Sequence, residues 1–155
     1  MPGGHDDALP AFHTPADQRD VAADPDAGEG VLRHLTDSPY PFVWQALAAN
    51  PRTPADVLAR LCAKTDSAWN DGRLLSLLAG HRNADRPVLL LVLAEVAARL
   101  ETSASRPYAA ALALADRPEL RPDEVRHLGD QPGASARLRR GLRRRLALRI
   151  PPGRH

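Results

Sequence analysis

Aromatic side chains make up only 4% of this 155-residue chain, which also holds one cysteine, one methionine and one lysine. With so few aromatics, a core must be built from Leu, Val and Ala, drawn from a hydrophobic fraction of 43%. The single cysteine, Cys62, excludes an intrachain disulfide framework and any metal site that needs several thiolates. No apolar run approaches the ~18 residues of a membrane span. The longest, residues 88–94, has polar neighbours. Residues 1–7 lack a basic stretch leading into an apolar one, so a secretory signal is not expected and a cytoplasmic location is. Glycine-rich phosphate loops, serine-centred elbows and His-Glu-x-x-His are absent. So are His-x3-His and Cys-x2-Cys pairs, and neither a metal nor a cofactor is expected.

The formal net charge of +2 conceals a strong asymmetry. Residues 1–30 carry seven acids (Asp6, Asp7, Asp17, Asp20, Asp24, Asp26 and Glu29) against one base, Arg19. Residues 31–136 carry twelve charges of each sign, and residues 137–155 carry eight arginines and no acid. The chain thus divides into an acidic arm (1–30), a neutral body (31–136) and a basic end (137–155). In the arm the sizeable apolar residues are only Met1, Leu9, Phe12 and Val21. They bury too little surface to offset an ordering cost of ~1–2 kcal/mol per residue, so disorder is expected over 1–30.

The body repeats itself. Residues 46–61 read as a short apolar helix, an Asn50-Pro51 break and a second helix, with weaker copies at 77–92 and 113–128. Val31, Leu32 and Leu35 share a helical face with the spacing of Val57, Leu58 and Leu61, then of Val88, Leu89 and Val92, and partly of Val125 and Leu128. Between them lie the expected faces of further helices: Phe42, Val43, Ala46 and Leu47; Leu74, Leu75, Leu77 and Leu78; Ala111, Leu112 and Leu114. At the break, Pro51 disfavours helical geometry at Asn50. Thr53 is expected to cap the second helix, with Pro54 at its first position and Asp56 at its positive end. Asn70-Asp71-Gly72 reads as a turn within an insertion at 63–72, and a long helix is expected over 86–100. Repetition at this period predicts an all-α fold, a short α-solenoid in which each unit buries its apolar face against its neighbours.

The string Ala-Leu-Ala-Ala-Asn-Pro-Arg-Thr-Pro-Ala-Asp-Val-Leu-Ala-Arg-Leu, preceded by residues 31–35 and Asp37-Ser38-Pro39, resembles the variant leucine-rich repeat and, more loosely, HEAT-like helical repeats. The resemblance is good over 31–61 and loose to about residue 128. It implies units of about two dozen residues that stack into a right-handed superhelix with a binding surface. It names no substrate. The cysteine-ligated cluster of some members is not carried over, since Cys62 stands alone.

Arg137, Arg139, Arg140, Arg143, Arg144, Arg145 and Arg149 form the candidate polyanion-binding set. They share a helix with Leu138, Leu142, Leu146 and Ile150. Three readings compete: a solvated cap on the last repeat, a nucleic-acid phosphate contact, and a contact with the acidic arm, an acidic partner or anionic lipid. Cys62 reads as a small buried residue and His34, His81 and His127 as residues near repeat ends, while His5 and His13 lie in the arm. Trp69 is expected to anchor its loop onto a neighbouring helix. The first expectation for function is a non-catalytic protein-interaction module that binds a protein or peptide on its concave face. The second is a nucleic-acid-binding accessory protein, and the third a small hydrolase or glycosylase-like enzyme. A basic groove joined to the arginine helix favours nucleic acid, a neutral apolar groove favours a peptide, and a deep pocket enclosing an acid favours catalysis.

Overall fold

Short helices punctuated by Pro, Asn and Asp dominate the chain. The computed structural model describes residues 14–102 and 105–149. Among them are nine α-helices: α1 (Pro15–Ala23), α2 (Glu29–Leu35), α3 (Pro41–Ala49), α4 (Ala55–Leu61), α5 (Ala68–Gly80), α6 (Arg86–Thr102), α7 (Tyr108–Ala115), α8 (Pro122–Arg126) and α9 (Ala136–Leu148). A single 3₁₀ turn, His127–Asp130, extends α8. The described residues contain no β-strand, and no helix among them is long and apolar enough to cross a membrane.

The starts are local chemistry. Ser67 and Ser135 accept hydrogen bonds from the Asn70 and Leu138 amides and so cap α5 and α9. Pro15, Pro41 and Pro122 open α1, α3 and α8, where a missing N–H costs nothing.

The odd-numbered helices pack each against the next, α1 on α3, α3 on α5, α5 on α7 and α7 on α9, while the even-numbered helices lie between and beside them. Val31, Leu32, Leu35, Val57, Leu58, Leu61, Val88, Leu89, Val92, Val125 and Leu128 are all buried, as their spacing predicts. They join one continuous core with Val43, Trp44, Leu47, Leu74, Leu75, Leu78, Ala111 and Leu114. Two predicted core leucines, Leu77 and Leu112, are only partly buried. Phe42 is likewise exposed and stacks on Tyr40 at 5.3 Å, because Trp44 takes the inward position and donates from Nε1 to the Ser38 carbonyl at 2.6 Å.

The helix corners are cross-linked by a recurrent device. In three successive corners one side chain accepts the amide two residues on: Asp24 from Asp26 at 2.9 Å, Asn50 from Arg52 at 3.0 Å and His81 from Asn83 at 3.0 Å. Each following corner donates to backbone carbonyls of the one before it. Asn50 Nδ2 donates to Ala22 and Asp24, both at 2.9 Å. Asn83 Nδ2 donates to Pro51 at 3.0 Å and Thr53 at 2.9 Å. Arg117 donates to Ala79, His81 and Ala84, and Arg149 to Ala115 and Leu120. Helix ends expose carbonyls with no partner inside the helix, and these side chains supply one.

Four expectations need correction. Within the predicted disordered arm, residues 15–23 form α1. Thr14 and Asp17 exchange hydrogen bonds in a capping box, Ala22 is fully buried, and Asn50 ties down the helix end. Residues 1–13 lie outside the described residues. Asn70-Asp71-Gly72 is no turn but part of the first turns of α5, where Ser67 starts a helix earlier than the turn signal implies. Thr53 does not cap α4; its buried hydroxyl donates to the Leu47 carbonyl at 2.6 Å, and Pro54 takes the capping position. Trp69 anchors nothing, being 80% exposed.

Candidate polyanion-binding face

Burial of the α9 stripe Leu138, Leu142 and Leu146 divides the seven candidate arginines among different surroundings. Arg137, Arg140 and Arg144 line one groove with Gly141 and Leu112, between α7 and α9, around a cavity of about 250 Å³. Gly141 lets the helices approach there, since a Cβ would stand 2.9 Å from a Leu112 methyl. Arg139 and Arg143 turn to another flank, beside Arg126, Gly129 and Asp130, and Arg139 donates to the Ala134 carbonyl at 2.9 Å. Arg145 pairs with Asp116, and Arg149 donates to the carbonyls of Ala115 and Leu120. Ile150 lies outside the described residues. The arginine helix is therefore partly structural, and only three of its cations, Arg137, Arg140 and Arg144, gather at one groove.

A second basic groove lies between α5 and the start of α7, around a cavity of about 340 Å³. Its walls include Trp69, Arg73, Leu77, Arg106, Pro107 and Tyr108. Tyr108 is held in place by its hydroxyl, which donates to the Gly133 carbonyl at 2.8 Å. Arg73 donates from Nε to the Gln45 side-chain oxygen at 3.1 Å. Among the described residues, neither groove has a carboxylate or an imidazole in its wall. Leu112 borders the α7–α9 groove and Ala109 the α5–α7 groove, about one helical turn apart on α7. The opposite side of α7 (Ala110, Ala111, Leu114 and Ala115) is in the core. Both grooves therefore flank the same outward strip of α7.

The electrostatics follow from what these helices omit. Together α5, α7 and α9 contain one acid, Asp71. Its side chain is buried and fully engaged: Arg99 donates to Oδ2 at 3.0 Å and the Asp66 amide to Oδ1 at 2.7 Å. The charge of Asp71 is therefore neutralised from α6, away from the outward strip. Arg73, Arg106, Arg137, Arg140 and Arg144 are exposed, and none of them forms an ion pair with a described acid. The leucines misplaced by periodicity have their explanation here. Leu77 and Leu112 face the grooves and give them apolar floor between the cations.

The remaining candidates have structural surroundings. Cys62 is buried, its thiol donates to the Leu58 carbonyl at 3.4 Å, and burial pushes its pKa up to about 12. Such a thiol is inert at neutral pH. His81 is buried, with Nε2 2.7 Å from the Asn50 carbonyl and Nδ1 accepting the Asn83 amide. These partners select the neutral tautomer protonated on Nε2. Burial depresses its pKa, and the nearby charges of Arg82 and Arg117 add to the depression against the pull of the Asn50 carbonyl. His34 and His127 are exposed on separate helices. Among the described residues no three His, Cys, Asp or Glu side chains converge on a common point.

Arg73 and Arg106 were invisible to motif reading because each is an isolated arginine in its segment. The available signal was negative: the segments that became α5, α7 and α9 are almost free of acids. Comparison with family models, curated proteins and solved structures finds no match to this chain.

Proposed function

We propose that this chain is a non-catalytic, nucleic-acid-binding helical-repeat protein, a short right-handed α-solenoid of the variant leucine-rich or HEAT-like kind. The stacking of alternate helices and the corner hydrogen bonds repeated from unit to unit support the repeat reading. One observation carries the functional reading. Arg73, Arg106, Arg137, Arg140 and Arg144 share the outward side of α5–α7–α9, where no described acid pairs with them. A basic groove joined to the arginine helix is what phosphate backbones need. The described residues of both groove walls include no carboxylate or imidazole, so they lend the hydrolase reading no support.

Fluorescence anisotropy with a labelled 12-nucleotide single strand and a 12-base-pair duplex tests this. Five phosphate contacts on a single strand predict a log–log salt slope of about −3.5, or roughly 100-fold weaker binding at 200 mM than at 50 mM salt. Replacing Arg137, Arg140 and Arg144 together with Ala should flatten that slope by about 2. No binding of either oligonucleotide at 20 mM salt refutes the reading and leaves a protein or peptide partner in its place.

A further inference from the structure

The two grooves differ in a way that charge alone does not explain. The α7–α9 groove offers cations and leucine, whereas the α5–α7 groove offers cations and aromatic rings. Trp69 stands at the edge of the latter with 80% of its surface in solvent, although the chain has only one other tryptophan, and Trp44 is buried. Its position has no role in folding: Trp69 is on the first turn of α5, outside the core. Tyr108 lines the same cavity, and its hydroxyl bond to the Gly133 carbonyl tethers its ring. Arg73 and Arg106 approach from α5 and from the loop before α7.

We propose that the Trp69–Tyr108 cavity receives an unpaired base, so that the chain prefers single-stranded to duplex nucleic acid. This rests on the nucleic-acid reading above and adds a site and a strand preference to it. Duplex DNA keeps its bases stacked inside, whereas a single strand can turn a base out onto an aromatic face while its phosphates follow a cationic groove. Arg73 and Arg106 are placed to meet the phosphates on either side of that base. Arg137, Arg140 and Arg144 continue the cationic track across α7. Leu77 and Pro107 supply apolar walls, which accept any base and give little sequence preference.

The experiment uses the full chain and its Trp69→Ala and Trp69→Phe variants. Probes are a labelled 12-nucleotide oligothymidine, a 12-base-pair duplex and poly-glutamate. Wild type should bind the single strand more tightly than the duplex, with quenching of tryptophan fluorescence. Trp69→Ala should bind the single strand about 5- to 100-fold more weakly, with an unchanged salt slope and unchanged duplex affinity. Trp69→Phe should recover part of the loss. Because Trp69 is outside the core, all three proteins should melt together. Equal single-strand affinity for Trp69→Ala and wild type overturns this inference and leaves the nucleic-acid reading intact. So does a Trp69→Phe loss as large as that of Trp69→Ala. Binding of poly-glutamate as tight as that of oligothymidine, or binding of no nucleic acid at all, overturns both.

Discussion

Asn50 is the residue whose replacement tests the corner device most directly. It is 2% exposed, yet its side chain makes three hydrogen bonds. Nδ2 donates to the Ala22 and Asp24 carbonyls at 2.9 Å each, and Oδ1 accepts the Arg52 amide at 3.0 Å. Asn50→Ala removes all three and strands the acceptors of α1. The Ala22 carbonyl belongs to a fully buried residue, so it bears the full cost of an unpaired buried group, about 1–3 kcal/mol. Asp24 and Arg52 are exposed, so water can replace their lost partner and each bond costs about 0.5–1 kcal/mol. The sum is about 3 kcal/mol, which at 2–4 °C per kcal/mol for a chain of this size lowers Tm by about 9 °C. Asn50→Asp keeps the acceptor for Arg52 but turns a carboxylate oxygen toward two carbonyls, and should lose more than Asn50→Ala at pH 7. Thermal and urea denaturation followed by circular dichroism measure the loss. Amide hydrogen exchange should place the earliest opening in α1, the element that Asn50 holds. A Tm shift below about 2 °C for Asn50→Ala would show that water satisfies all three groups and would refute the argument.

Two further outcomes follow from the same architecture. Because burial lowers the pKa of His81 in the folded chain, the unfolded chain binds more protons below about pH 6.5, so stability should fall as pH drops from 7.5 to 5.5. Urea midpoints of wild type and His81→Gln over that range should diverge in slope, and parallel slopes would remove His81 as the cause. Gly133 donates its amide to the Leu100 carbonyl at 2.7 Å, and a Cβ there would lie 2.5 Å from that oxygen. Gly133→Ala should therefore cost about 1–3 kcal/mol by urea denaturation, through displacement of this loop from the end of α6; a neutral effect would show that the loop relaxes freely.

Much of the fold was legible because periodicity is a local signal. The buried faces of α2, α4 and α6 follow directly from Val-Leu-x-x-Leu/Val spacing, and the Asn50-Pro51 break lies where proline chemistry puts it. What misled was local chemistry overruled by neighbours. Asn70-Asp71-Gly72 favours a turn, but Arg99 from α6 draws Asp71 inward and Ser67 caps a helix through it. Thr53 is a good cap by type, but its hydroxyl is buried and donates to the Leu47 carbonyl instead. The region before Val31 reads as acidic and unstructured until α3 and Asn50 provide its partners.

For the candidate site the division is sharper. By itself the sequence determined that positive charge concentrates after residue 136, that aromatic residues are scarce, and that the helices alternate with Pro-, Asn- and Asp-bearing corners. Those properties depend on residue identity and near neighbours along the chain. Only the tertiary structure decided which arginines are committed to internal partners and which face solvent together. Arg145 and Arg149 bind groups some 30 residues away, whereas Arg73 and Arg106 join Arg137, Arg140 and Arg144 on one side of α7. The physical reason is that a surface is assembled from side chains adjacent in space, and packing α5, α7 and α9 in register is what makes them adjacent.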